Sequence, residues 1–298
     1  MHPTLFRIGD FPIGTYGLMV AIGFLLGIQY VVRAARKIPV APERIYDLSL
    51  VIIVAALVGS RIAYLIVEWD WFRQDPFGLI FSRQGYVFYG GFLGAVAVVI
   101  FFARRWELPV RSLADAYAPG VALGHFFGRI GCYLNGCCHG DLCSLDHPLT
   151  RFPRVLDAHG NITGSLAFLE QLERGLVTES DRFALPVHPT QLYEAAGLLV
   201  LFLVLHTLYR RVKWPAGTLF LLYAVGYAVL RFCVEFFRGD PRGWVIPNRI
   251  STSQGIALAV LIAAPFIYRK LRRMPAEAGK PPGEEDSARG PHPPRTGK

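Results

Sequence analysis

No two of the five cysteines are spaced C-x-x-C, no internal repeat runs through the 298 residues, and no basic-then-apolar leader with a small-residue cleavage site opens them. The first absence argues against a paired-thiolate zinc site and against a quinone-linked disulfide relay. The second argues against a transporter built from inverted repeats around a midplane site. The third predicts that MHPTLFRIGDFPIGTYG is not a secretory signal and is not processed, the first helix serving as its own targeting signal. Charge is scarce as well, at 18% of residues, and the net +9 comes in short basic clusters beside apolar runs instead of one basic face. That distribution excludes a nucleic-acid partner and indicates anchoring at a cytoplasmic membrane surface.

What remains is apolar: 53% of residues are hydrophobic and the mean hydropathy is +0.36, above the roughly 45–50% apolar content of soluble domains. A span needs about 20 apolar residues to cross a hydrocarbon core about 30 Å thick. Seven stretches qualify, approximately 13–32, 46–67, 86–103, 113–134, 190–209, 216–237 and 251–268. Arg33, Arg36, Lys37 and Arg44 follow the first; Arg104, Arg105 and Arg111 the third; Arg210, Arg211 and Lys213 the fifth; Arg269, Lys270, Arg272 and Arg273 the seventh. Every alternate connection is short and basic, so the positive-inside rule puts the N-terminus outside and the C-terminus in the cytoplasm. The expected fold is all-α, a polytopic seven-helix membrane domain over 1–274 with an external loop at about 141–187. Within that loop SLAFLEQLERGL is suited to a small external helix. The tail, 275–298, is rich in Pro, Gly and charge and reads as disordered.

Charged groups inside a span cost roughly 2.5–3.5 kcal/mol each at the centre, so each calls for a partner or a task. With this topology Arg61, Arg129, Arg231, Glu235 and Arg238 fall toward the outer ends of their spans. Tyr16, Tyr89, Gln191, Tyr193, Glu194 and Gln254 come early in helices that start outside, at the same level. In RFCVEFFR the spacing sets Glu235 between Arg231 and Arg238 on one helical face. Such a triad is either structural or a holder of phosphate, which a surplus guanidinium binds through paired hydrogen bonds.

Gly124 and Gly128 have the four-residue spacing of closely packed helices, and Gly90, Gly91 and Gly94 repeat the theme; close backbone approach also suits a lipid headgroup pocket. Cys132, Cys137, Cys138 and Cys143 fall within a dozen residues, with His125 and His139 nearby. Structural disulfides or small buried side chains are expected of them, and packing of Cys233; no metal and no cofactor is expected. His188, opening HPTQLYE before a helix start at Pro189, is either a base or a surface residue.

Taken together, TYG (15–17), GSRIAY (59–64), YGGFLGA (89–95), GRIGCYLNGCCHG (128–140), HPTQLYE (188–194) and GYAVLRFCVEFFRGD (226–240) resemble bacterial prolipoprotein diacylglyceryl transferase over about residues 10–270. The resemblance implies transfer of the diacylglyceryl group of phosphatidylglycerol to the lipobox cysteine thiol of a preprolipoprotein, with release of glycerol phosphate. It also implies a site toward the outer leaflet of the bacterial inner membrane. Carried over by motif, Arg129, Arg231, Tyr227, Tyr89 and Glu235 are candidate catalytic residues. Arg61, Tyr16, Asn135, Gly140, Glu194 and Arg238, with Arg129, are candidates for holding substrate. Guanidinium donors would stabilise charge on the departing phosphate, and the attacking thiol must lose its proton.

Three motif positions depart from the family pattern: its histidine before Gly-Gly is Tyr89, its asparagine in the GRxGN segment is Cys132, and the acidic residue after Asn-Gly is Cys137. A tyrosine with an ordinary pKa near 10 is a poor base. Proton removal therefore falls to Tyr89 under arginine influence, to His125, to His188 or to a carboxylate. A phospholipid-dependent transferase with another acceptor and a lipid or anion transporter are the alternative readings.

Overall fold

In lipid a chain must satisfy its backbone polar groups within each spanning segment, so the long apolar runs become helices. The computed structural model describes residues 4–8, 11–82, 85–157, 160–239, 244–246, 250–275 and 277. Beyond 277 the tail expected to be disordered lies outside the described residues. The helices are α1 (Thr15–Ala34), α2 (Pro42–Val67), α3 (Trp69–Gln74), α4 (Pro76–Phe81), α5 (Phe88–Arg105), α6 (Val110–Asn135), α7 (Leu166–Glu173), α8 (Thr190–Arg211), α9 (Thr218–Val234) and α10 (Thr252–Arg273). Three antiparallel two-stranded ribbons accompany them: β1 (Thr4–Ile8) with β2 (Phe11–Gly14), β3 (Val155–Leu156) with β4 (Ile162–Gly164), and β5 (Trp244–Ile246) with β6 (Ile250–Ser251). These ribbons depart from a purely helical chain; two to five residues per strand are too few to show a period-two pattern.

Among the described residues six helices are long and apolar enough to cross a membrane: α1, α2, α5, α8, α9 and α10. The chain is a polytopic helical membrane protein. At 26 residues α6 has the length, but it carries Arg111, Asp115 and Arg129 and a proline, Pro119, inside the helix. Asp115 has a structural use. Its carboxylate accepts the backbone N–H groups of Gly217 at 2.7 Å and Phe220 at 2.9 Å, which satisfies the free donors at the start of α9.

The chain divides into two compact units, one of residues 1–30 with 114–276, the other of 31–113 with 277–298. In the second unit α2 and α5 lie against each other along a glycine seam. A Cβ on Gly59 would stand 2.5 Å from the Gly90 carbonyl oxygen, and one on Gly94 2.6 Å from that of Ala55. Backbone oxygens cannot turn aside as side chains do. Gly94→Ala is therefore expected to lower stability by about 1–3 kcal/mol through overpacking. Gly17→Ala, where a Cβ meets nothing within 4 Å, is the control; thermal melts in detergent compare the two, and equal melting would remove the seam.

In the first unit the close approach of α1 to α6 runs through Gly23 opposite Gly124 and Gly27 opposite Gly120. Of the close-packing face expected from Gly124 and Gly128, Gly124 takes part and Gly128 does not, having nothing within 4 Å of its Cβ position. The connection from 141 to 187 is more than a polar loop: α7 forms within it, and Phe152, Phe168, Ala167, Val177, Ala184 and Val187 make a small buried core of their own.

Candidate active site

Pro189 precedes α8 and ends the freedom of the incoming chain, so the first turn of the helix is placed firmly, with Thr190 and Gln191 fully buried and Tyr193 exposed. Glu194, one turn further on, is the hub. Its Oε1 lies 2.9 Å from Arg129 Nη2 of α6 and accepts the Tyr227 hydroxyl of α9 at 3.0 Å, while His125 Nε2 stands 3.8 Å away. Oε2 faces Arg231 Nη1 at 3.9 Å. Arg231, buried on α9, is paired with Glu235 at 2.6 Å and donates from Nη2 to Ser253 Oγ at 3.1 Å. Its Nη1 makes no hydrogen bond with any described residue, nor does Glu194 Oε2. Around this centre Tyr227 lies 4.8 Å from the His125 ring and is stacked on Tyr223 at 6.3 Å.

Arginines and glutamates alternate here because a lone buried charge is costly and a paired one much less so. Arg129 and Arg231 stand two against two with Glu194 and Glu235, and Arg238 lies close enough to act on Arg231 through its charge. Among the described residues the Arg231 Nη1 N–H stands in this arrangement without a hydrogen-bond partner.

The family model described as prolipoprotein diacylglyceryl transferase matches residues 3–269. This chain belongs to the prolipoprotein diacylglyceryl transferase family. Among its relatives are the phosphatidylglycerol–prolipoprotein diacylglyceryl transferases of Clostridium tetani, 31% identical over 272 residues (90% of this chain, 97% of the relative), and of Bacillus cereus, 31% identical over 281 residues (92% and 93%). A second such transferase of Clostridium perfringens is 29% identical over 278 residues (90% and 94%).

In this member of the diacylglyceryl transferase family, the expected site residues divide by unit. Tyr16, Arg129, Asn135, Gly140, Glu194, Tyr227, Arg231, Glu235 and Arg238 belong to the first and Arg61 and Tyr89 to the second. Arg61 donates to the carbonyls of Gly85 (3.0 Å), Ile80 (2.8 Å), Ser82 (2.9 Å) and Leu79, and to Ser82 Oγ at 2.9 Å, so its guanidinium ties Gly85 to the end of α4. Tyr89, in the first turn of α5, is exposed and edge-on to Phe88 at 5.7 Å. Tyr16 packs beside Gly131, where a Cβ would stand 3.2 Å from its ring.

Gly140 is a crossing point. A Cβ there would overlap the Phe237 carbonyl and stand 2.7 Å from His188 Cβ, while its N–H donates to the His188 carbonyl at 2.8 Å. His188 meets Tyr193 at 3.3 Å beside Phe237, which makes it part of this crossing. The expected Arg231–Glu235–Arg238 face is broken: α9 ends at Val234, Glu235–Phe237 is a 3-10 turn, and Arg238 is extended. Four-residue spacing still joins Arg231 to Glu235, but Arg238 leaves the helical face.

Sequence reasoning missed Glu194 as the hub and Tyr223 as the platform under Tyr227. The four-residue step from Tyr223 to Tyr227 was the available signal. The cysteines also differ from expectation. All five are thiols and not disulfides, and Cys233 is exposed on α9, not packed. The sulfurs of Cys132, Cys137 and Cys138 all lie within 4.8 Å of one another.

Proposed function

We propose that this protein transfers the diacylglyceryl group of phosphatidylglycerol to the lipobox cysteine thiol of a preprolipoprotein, releasing glycerol phosphate. The observation that carries this reading is the Arg129–Glu194–Arg231 cluster, with the unused Arg231 Nη1, in a chain of this family. Arg231 and Arg129 hold the phosphate and stabilise the charge that grows on its oxygen as the glycerol C–O bond breaks. Glu194 and Glu235 set the guanidinium planes, and Tyr227, locked to Glu194, lines the same wall. Arg238, just past α9, adds to the positive field. Tyr16, Asn135 and Gly140 shape the surroundings, and Arg61 acts by tying Gly85 to the end of α4, not by touching lipid.

The protein sits in the bacterial cytoplasmic membrane with α6 as a seventh span, the N-terminus and the 141–187 segment outside, and the C-terminus inside. The alternation of short basic connections supports that orientation. On it the cluster lies toward the outer leaflet, at headgroup level.

The test is transfer of labelled diacylglyceryl from phosphatidylglycerol to a lipobox peptide by the purified protein. Label is expected on a cysteine peptide and not on its serine counterpart. A folded protein that labels neither overturns the proposal.

A further inference from the structure

α6 ends at Asn135, and the chain reverses at once through two residues with positive φ, Gly136 at 73° and Cys138 at 60°. A Cβ on Gly136 would overlap the Ser165 side chain, so only glycine allows this turn. The reversal folds Cys137 and Cys138 back against Cys132: the Cys137 N–H donates to the Cys132 carbonyl at 3.1 Å. Two fully buried side chains of α8 hold it there, Gln191 donating to the Cys137 carbonyl at 2.6 Å and Thr190 to the Cys138 carbonyl at 2.9 Å. The three sulfurs are thus gathered by backbone and neighbours, with no ion needed to gather them.

We infer that Cys132, Cys137 and Cys138 form a three-thiolate seat for a Zn2+-class cation whose open fourth position takes the acceptor cysteine as a bound thiolate. The inference rests on the transfer reaction proposed above. Three sulfurs on a tetrahedral ion at about 2.3 Å stand about 3.8 Å apart. The observed spread, within 4.8 Å, closes to that by small side-chain rotations. Three protein ligands and one open place is the arrangement of catalytic, not structural, zinc.

His139 does not complete the set. Its Nε2 is 3.1 Å from Glu170 Oε2 and its Nδ1 2.9 Å from the Gly140 carbonyl, so both nitrogens are engaged. A cavity of about 310 Å3 opens onto Cys137 and Cys138 beside these two residues and gives an incoming side chain a way to the sulfurs. Arg129 and Arg238 lie close enough to act on Cys138 through their charge, which places two cations beside the seat.

The site answers the need left by a phenol at position 89. A thiol that coordinates such a cation is deprotonated outright, its proton passing to water. The bound sulfur then attacks the glycerol carbon; the S–C bond forms as the C–O bond breaks, and the electron pair leaves on the phosphate oxygen facing Arg129 and Arg231. No oxidant or reductant is involved.

The test uses the full chain, purified in detergent under reducing conditions, equilibrated with Zn2+ and dialysed, with bound metal measured by mass spectrometry. One equivalent is expected, lost in Cys132→Ser, Cys137→Ser and Cys138→Ser and kept in Cys143→Ser and Cys233→Ser. Replacement by Co2+ is expected to give a thiolate charge-transfer band that changes with a lipobox cysteine peptide and not with the serine peptide. On the unaltered chain, chelation is expected to stop transfer and Zn2+ to restore it, which keeps the inference testable should a variant misfold. Transfer by a protein that binds no Zn2+, or a disulfide among the three sulfurs with no metal bound, overturns the site and leaves the transferase. Stoichiometric Zn2+ with no transfer to any peptide overturns the transferase reading on which the inference rests.

Discussion

Arg129→Ala is expected to reduce transfer to a lipobox peptide by roughly 10²–10³-fold, the range for removing one donor aimed at developing negative charge. Arg129 reaches the centre from α6, where its Nη2 is 2.9 Å from Glu194. Alanine removes the proposed phosphate donor and also leaves Glu194 with one guanidinium fewer, so the variant must be shown to melt as a folded protein. Arg129→Lys separates the two effects. A lysine keeps the charge opposite Glu194 but lacks the planar fork, so its melt is expected near that of the unaltered chain while its rate stays well below it. Arg129→Lys at full rate, or Arg129→Ala within a few-fold of it, would show that the phosphate is held elsewhere.

Glu194→Leu is expected to cost about 3–5 kcal/mol of stability, because it leaves buried arginines without their counter-ion. Glu194 has no exposed surface, and it faces Arg129, Arg231 and the Tyr227 hydroxyl together. Glu194→Gln retains an acceptor for Tyr227 and is expected to lose less. Adding Arg129→Leu to Glu194→Leu removes one of the stranded charges, and part of the lost stability is expected to return with no return of activity. Thermal unfolding in detergent micelles reads all three. If Glu194→Leu melts with the unaltered chain, the carboxylate is not the hub described here.

The spans were legible because lipid crossing is a one-dimensional requirement. The runs read at 46–67 and 190–209 are found as Pro42–Val67 and Thr190–Arg211, and even the more polar run at 113–134 is a helix, Val110–Asn135. The seam between α2 and α5 was foreshadowed by Gly90, Gly91 and Gly94, since small residues at close spacing have few other uses in a span.

Pairings were not legible. Glu194 and Arg129 are 65 positions apart (194 minus 129), and nothing in spacing says which arginine of several a buried glutamate meets. That Arg61 meets the carbonyls of Leu79, Ile80, Ser82 and Gly85 was equally hidden, because carbonyls are present in every sequence. Arg238 was placed on a helical face that ends four residues before it. The convergence of Cys132, Cys137 and Cys138 was hidden from spacing because it comes from a turn: Gly136 and Cys138 adopt positive φ and α8 clamps the carbonyls of Cys137 and Cys138. C-x-x-C describes thiols brought together by one local loop, whereas here a helix end, a reversal and a neighbouring helix share the task.

The hub also bears on how the chain is made. Synthesis runs from the N-terminus, so with α6 as the proposed seventh span Arg129 would enter the bilayer before Glu194 exists, and at about 5–20 residues per second the step from 129 to 194 takes roughly 3–13 s. Arg231 then arrives after the glutamate. During that interval α6 holds an arginine with no acid to meet it, in a helix already too polar to pass as an ordinary span. Its stable placement therefore waits for α8, and newly made chains that stall before residue 194 present the cell with an unneutralised membrane arginine, a mark by which incomplete copies differ from finished ones.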